Sequence, residues 1–328
     1  MKHIPVLDGI RGLAILLVLL RHASHHIDKG GSFIDSLFFT VTERGWVGVD
    51  LFFVLSGFLI SGILCKAKGR AGYFKDFYAR RVLRIFPAYY AVLVIFFVVL
   101  PMIPVLSWYV AGSSHDQIWF WTYLTNLRVA ERGSFYPELI PNVLWSLAIE
   151  EQFYLAWPLV VYFCSRRTVL RICVSLLVLA VALRIGMVLS DFSETSVRIF
   201  TLTRIDGLAV GSLLAIVAQG GMAVAARRFR WIGLLAFVLL IWVMFGLDTI
   251  PREFQALAIT LRFTTIALVF GALIAIVATA REGSLLNRFF SAWWLQQLGK
   301  YSYAIYLWHG PMYALVDSQL FDKNSGPL

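Results

Sequence analysis

Charge is scarce in this sequence. Only 15% of its 328 residues are Asp, Glu, Lys or Arg, and 59% are hydrophobic. A soluble domain is about a quarter charged, so an ordinary water-soluble fold is excluded. Cysteine is scarce too. The three present, Cys65, Cys164 and Cys173, are odd in number, lie in or beside apolar runs and form no CxxC. That argues against a disulfide framework and against a zinc site, and no metal is expected. No small-residue cleavage site follows the first apolar run, which therefore reads as a retained span rather than a signal peptide. No internal repeat, low-complexity tract or linker marks off a soluble domain. The net charge of +10 thus has no soluble basic domain to carry it, and nucleic-acid binding is set aside.

What remains is hydrocarbon-compatible sequence with a mean hydropathy of +0.76. Apolar runs fall at 9–27, 46–65, 84–106, 141–164, 168–190, 199–219, 231–247, 255–280 and 293–316. Each is long enough to cross a bilayer, the fifth to seventh with charges inside them. The fold class expected is all-α, a polytopic transmembrane helix bundle of about nine spans. Basic residues collect at 66–84, 166–171, 227–230 and 281–288, which should be cytoplasmic. Segments 28–44, 191–198 and 248–253 should face outward. These signs alternate consistently only if the Trp-rich stretch 117–127 does not span. It should be re-entrant or interfacial, with the N-terminus inside and the C-terminus outside.

Two ionisable residues interrupt the first run. Arg11 and His22 are eleven residues apart, roughly three helical turns, so they share a face about 16 Å apart along the axis. Ionisable groups are costly in hydrocarbon and suggest a functional site. The plainer readings are a positive-inside anchor for Arg11 and a packed, carbonyl-bonded imidazole for His22. His25 and His26 should be solvated.

Glu150 and Glu151 lie about nine residues into the fourth span, where each needs a partner or a proton. Ser146, Glu150 and Tyr154 form one polar stripe at i, i+4, i+8. Glu151 points about 100° away, toward an arginine elsewhere. Arg81 and Arg84 share a side of the third span and suit phosphate, although plain positive-inside charge explains them as well. Asp50, just inside the second span, is free to pair with His22 or Arg204. Arg204 and Asp206 read most simply as a mutual pair. His309 should lie at the depth of His22. Together these residues describe a polar core with arginines at its inner mouth and histidines near its outer mouth. That core suits a phosphorylated donor entering from the cytoplasm and a group leaving outward.

In their order these motifs resemble the integral-membrane acyltransferase family 3. They are Arg11-x10-His22, Gly48-Val-Asp-Leu-Phe-Phe-Val-Leu-Ser-Gly-Phe58, Arg81-x-x-Arg84, Trp145-Ser-Leu-x-x-Glu-Glu-Gln-Phe-Tyr154 and Tyr303-x-x-Tyr-Leu-Trp-His309. The resemblance covers essentially the whole chain. It implies a single membrane-embedded acyltransferase domain over 1–328, in a family with about ten core helices, so a last helix is expected to be missing. It implies acetyl-CoA or another acyl-CoA as donor and a carbohydrate or cell-surface glycan as acceptor. The setting implied is a bacterial inner membrane. Arg11, Arg81 and Arg84 then hold the coenzyme. His22 acts as general base, or as an acyl-carrying relay, with Glu150 or Glu151 orienting it. The other reading is a transporter of glycan or lipid precursors that uses the intramembrane charges as a proton relay.

Overall fold

The computed structural model describes residues 4–24, 32–103, 107, 110–136, 142–245 and 252–320. His25, His26, residues 248–251 and the terminal stretch 322–328 lie outside the described residues. Among the described residues there is no strand. Each of the nine apolar runs holds a long helix among the described residues: α1 (Pro5–Ala23), α3 (Val47–Ala67), α4 (Tyr73–Val94), α7 (Leu144–Phe163), α8 (Arg166–Leu189), α10 (Thr201–Val217), α11 (Met222–Phe245), α12 (Arg252–Ala278) and α14 (Trp293–Leu320). Short helices connect them: α2 (Phe33–Thr42), α5 (Gln117–Trp121), α6 (Thr125–Arg132), α9 (Glu194–Ile199) and α13 (Leu285–Phe290). Among the described residues, five helical stretches are long and apolar enough to cross a membrane: Phe38–Ala67, Tyr73–Met102, Arg166–Leu189, Glu194–Gly220 and Thr260–Ala278. Leu155, Val178, Leu189 and Leu235 are exposed on outward faces. A bilayer covers such side chains without penalty.

Serine caps start several helices where the sequence turns polar. Ser165 accepts from the Thr168 amide at the head of α8, and Ser193 does the same for Ser196 at α9. Helix α4 carries Pro87 within it and widens into a π turn over Ile95–Val99.

Two helix pairs form the frame, α3 against α10 and α1 against α14. Both depend on absent side chains. A Cβ on Gly211 would stand 1.9 Å from the Val54 carbonyl, and one on Gly299 would stand 1.8 Å from that of Asp8. Backbone contact this close needs glycine, as in other tightly packed membrane helices. The frame brings the N-terminal thirds of α3 and α10 together, and with them Asp50 and Arg204.

The stretch 117–127 is built from α5, a turn and α6, both helices being too short to span. The turn passes through Tyr123 at φ 56°. Tyr123 stacks on Tyr89, with ring centroids 4.0 Å apart, and the Tyr89 hydroxyl donates to the Phe120 carbonyl at 2.9 Å. Asp116 ties the segment down. It accepts from Arg128 Nε at 2.9 Å, from the Tyr136 hydroxyl at 2.9 Å and from Arg132 at 3.3 Å. Burial pushes the Asp116 carboxyl up, but these donors outweigh it and hold the group below its ordinary range.

Candidate active site

Two neighbouring cavities open inside the bundle. Arg11 of α1, Arg81 and Arg84 of α4, and Ser146, Glu150, Glu151 and Tyr154 of α7 line the first. Seven residues singled out from sequence therefore converge, although they come from three separate helices. Tyr154 is the organising side chain. Its hydroxyl is hydrogen-bonded to Ser56 of α3 and lies 3.2 Å from Glu150 Oε2, to which it donates. The Arg81 guanidinium lies over the Tyr154 ring at 5.1 Å. An i, i+4 spacing on α7 makes the Glu150–Tyr154 contact local, whereas Ser56 anchors it across the bundle. Arg11 is 3.5 Å from Asp8 on its own helix. Glu151 lines the same cavity and makes no direct ion pair with an arginine among the described residues. Arg81 lines that cavity as well, so the arginine expected to pair with Glu151 shares its cavity without an ion-pair contact.

Ser146, on the same cavity-lining face of α7 as Glu150 and Tyr154, reaches across the bundle. Its hydroxyl bonds that of Tyr306 on α14, and Tyr306 also donates to the Val143 carbonyl at 3.0 Å. Tyr306 lines both cavities and so forms the partition between them, together with Val49.

The second cavity, of about 260 Å³, holds His22, Arg204, Arg21, Arg198 and Asn142 against Trp46 and Trp145. His22 Nδ1 lies 3.0 Å from the Val18 carbonyl. A carbonyl oxygen only accepts, so this bond puts the proton on Nδ1 and leaves Nε2 unprotonated when the ring is neutral. The His22 ring packs on His309, with centroids 4.8 Å apart. His309 Nδ1 donates to the Tyr306 carbonyl at 2.6 Å. Two histidines from the first and last helices thus meet behind the partition.

The charged residues beside this cavity pair differently from the simplest sequence expectation. Arg204 bonds Asp50 at 2.6 Å, and Asp206 bonds Arg184 at 2.8 Å. The mutual Arg204–Asp206 pair is therefore replaced by two cross-helix pairs. Residues at i and i+2 point to nearly opposite sides of a helix and do not face each other. Asp50 is satisfied by Arg204, the second of its two candidate partners. Asp206 lines neither cavity. Its Oδ2 also accepts from Thr264 at 2.7 Å, and its Oδ1 from the Gly207 amide at 3.0 Å. Arg184, Arg198 and Arg21 are residues that sequence reasoning did not single out, and Tyr306 stood there only as one position of the last-span motif. The signal for Arg184 was present as a lone arginine deep in the run 168–190.

The acyltransferase 3 family, described as an acyltransferase domain, matches residues 4–327. The chain is 32% identical over 336 residues to YrhL of Bacillus subtilis (strain 168), an alignment covering 96% of this chain and 49% of that protein. It is 30% identical over 329 residues to the peptidoglycan O-acetyltransferase OatA of Listeria monocytogenes, covering 96% of this chain and 50% of the other. The O-acetyltransferase OatA of Staphylococcus aureus (strain NCTC 8325 / PS 47) is 28% identical over 333 residues, covering 97% and 52%. The chain spans about half the length of the curated relatives it matches. No solved structure matches it.

Proposed function

Since the chain belongs to the acyltransferase 3 family, we propose that it moves an acetyl or other short acyl group from cytoplasmic acyl-CoA to a hydroxyl of a carbohydrate or cell-surface glycan. The carrying observation is the pair of cavities divided by Tyr306. One gathers three guanidiniums suited to a phosphorylated donor, and the other holds an imidazole with a defined tautomer. The names of the Listeria and Staphylococcus relatives, O-acetyltransferases both, support the acetyl group and, for the former, a glycan acceptor.

Each side chain then has a task. Arg81 and Arg84 hold coenzyme A phosphate bidentately, with Arg11 adding charge from α1. Glu150 and Glu151 line the donor cavity and not that of His22, so they balance those cations there rather than orient the imidazole, and Tyr154 fixes Glu150. In the reaction the acceptor oxygen attacks the thioester carbonyl, the carbon–sulfur bond breaks, and coenzyme A leaves as the thiolate. His22 Nε2 takes the hydroxyl proton during attack and returns it to the thiolate, giving ester and free thiol. A site shut off from bulk water limits hydrolysis of the thioester.

Replacing Arg81 or Arg84 with alanine should raise the KM for acetyl-CoA by about ten-fold or more, since a charge-assisted bond is worth about 1.5–3 kcal/mol. The kcat should change less. Initial rates of coenzyme A release over a range of donor concentrations measure this, and an unchanged KM in both variants removes the arginines from the donor site.

The orientation in this reading puts the arginine cavity at the cytoplasmic side, supported by the basic residues at 66–84, 166–171, 227–230 and 281–288. In a chain whose three native cysteines are replaced by serine, Ser190→Cys should react with an impermeant maleimide on intact cells. Arg70→Cys should react only after permeabilisation. The reverse pattern inverts the topology.

A further inference from the structure

The second cavity holds more positive charge than proton abstraction by His22 requires. Arg21, Arg198 and Arg204 line it, and no carboxylate does among the described residues. Arg204 is 2% exposed. Asp50 occupies its Nη2, while its Nε and Nη1 have no hydrogen-bond partner. Its guanidinium lies 4.3 Å from the Phe263 ring centroid, a contact that supports the cation's face and offers no acceptor. Arg198 makes no ion pair among the described residues. Its guanidinium rests over the Trp46 ring at 5.4 Å. Arg262, a fourth cation beside the cavity, is 3.9 Å from an exposed Glu194. Asp50, paired with Arg204 alone, is therefore the one carboxylate that makes an ion pair with any of the three lining arginines among the described residues. Cations withdrawn from water are costly unless paired and fully hydrogen-bonded. An incoming oxyanion would supply the missing acceptors in the planar, forked geometry that guanidinium favours.

The remaining walls narrow the ligand further. Trp46, Trp145 and Phe135 give flat apolar surfaces, and Asn142 a polar one. Flat aromatic walls with a few convergent polar groups suit a compact ring that is apolar on its faces and polar at its edge. A sugar has that form.

We propose that this cavity is the acceptor site and selects an anionic saccharide, with a carboxylate or phosphate on the sugar held by Arg198 and Arg204. The word acceptor rests on the acyl-transfer reading above, whereas the anion site is defined by the cavity alone. The anion would be fixed beside His22, so a hydroxyl of the same sugar is delivered to Nε2 in a set orientation. Neutral sugars, lacking that anchor, would bind loosely and react slowly.

Equilibrium dialysis of the purified full chain in detergent tests this without any transfer reaction. The probes are radiolabelled methyl glucuronide, as the free carboxylate, and its uncharged carboxamide. The acid is expected to bind about ten-fold tighter than the amide at low salt, which is about 1.4 kcal/mol. In Arg198→Gln the preference should fall below about three-fold, and in Arg198→Lys it should recover in part, since the charge returns without the fork. Arg198 makes no ion pair, so these variants leave the buried Asp50–Arg204 contact in place. Equal affinities in the wild type, or an undiminished preference in Arg198→Gln, would overturn the proposal. Displacement of the acid by inorganic phosphate at equal concentration would overturn the saccharide part of it. Absence of acyl transfer by the wild type, with the acid preference intact, would count against the acyl-transfer reading alone.

Discussion

His22→Ala should lower kcat/KM for acyl transfer by about 10²- to 10⁴-fold, the range that a positioned general base contributes. Labelled acetyl-CoA and a glycan acceptor in membranes measure it. The KM for acetyl-CoA should stay near its wild-type value, because His22 lines the cavity beyond Tyr306 from Arg11, Arg81 and Arg84. The defect should therefore appear in kcat. Imidazole added to the medium should restore part of the rate, since the variant leaves a ring-sized space against His309. Full activity in His22→Ala would remove the residue from the mechanism. A rise in the donor KM with kcat intact would reassign it to binding. Size-exclusion elution as a single peak establishes that the variant is folded.

The second large effect is on stability. Arg184 has no solvent exposure and is held by Asp206 Oδ2, by Thr264 and by the Thr203 carbonyl. Asp206→Ala should destabilise the protein by about 3–5 kcal/mol, because it leaves a guanidinium buried without its counter-charge. The thermal midpoint in detergent should fall markedly, and Arg184→Met should cost a comparable amount by stranding the carboxylate. The double variant Arg184→Met with Asp206→Leu should be less damaged than either, since a buried pair replaced by apolar groups of similar volume often costs little. A double variant whose loss equals the sum of the singles would show that the two residues act independently. The pair would then be a coincidence of packing rather than a unit.

These two predictions mark where the sequence is legible and where it is not. The helices were legible because hydrocarbon demands long apolar runs, and all nine runs correspond to helices. The convergence of Arg11, Arg81, Arg84, Glu150 and Glu151 on one cavity was partly legible. Each is expensive in a bilayer, and expensive groups gather where they can share charge and water. Pairing was not legible. Asp50 and Arg204 are 154 residues apart in sequence, and only the approach of α3 to α10 at glycine brings them together. Local spacing suggested Arg204 with Asp206, but helical geometry turns those two outward to different neighbours. Tyr306 was visible within a motif, yet its role as a wall depends on Ser146 of α7 and on Val143 just before that helix, which no pattern in α14 encodes.

Gln152 sits one residue past the two carboxylates. Its Nε2 donates to the Tyr123 carbonyl at 2.8 Å and to Asn126 Oδ1 at 2.9 Å. Its Oε1 accepts from Thr201 at 2.6 Å, and Asn126 closes the circuit by donating to Thr201 at 2.8 Å. Neighbouring residues on a helix differ by about 100° in heading, so Glu150 and Glu151 exchange places if α7 rolls by that angle. The amide circuit acts as a detent against such rolling, pinned on one side to the turn at Tyr123 and on the other to the first residue of α10. Which face of α7 meets Ser56 of α3 is therefore an angular setting of the helix, held by a neutral side chain.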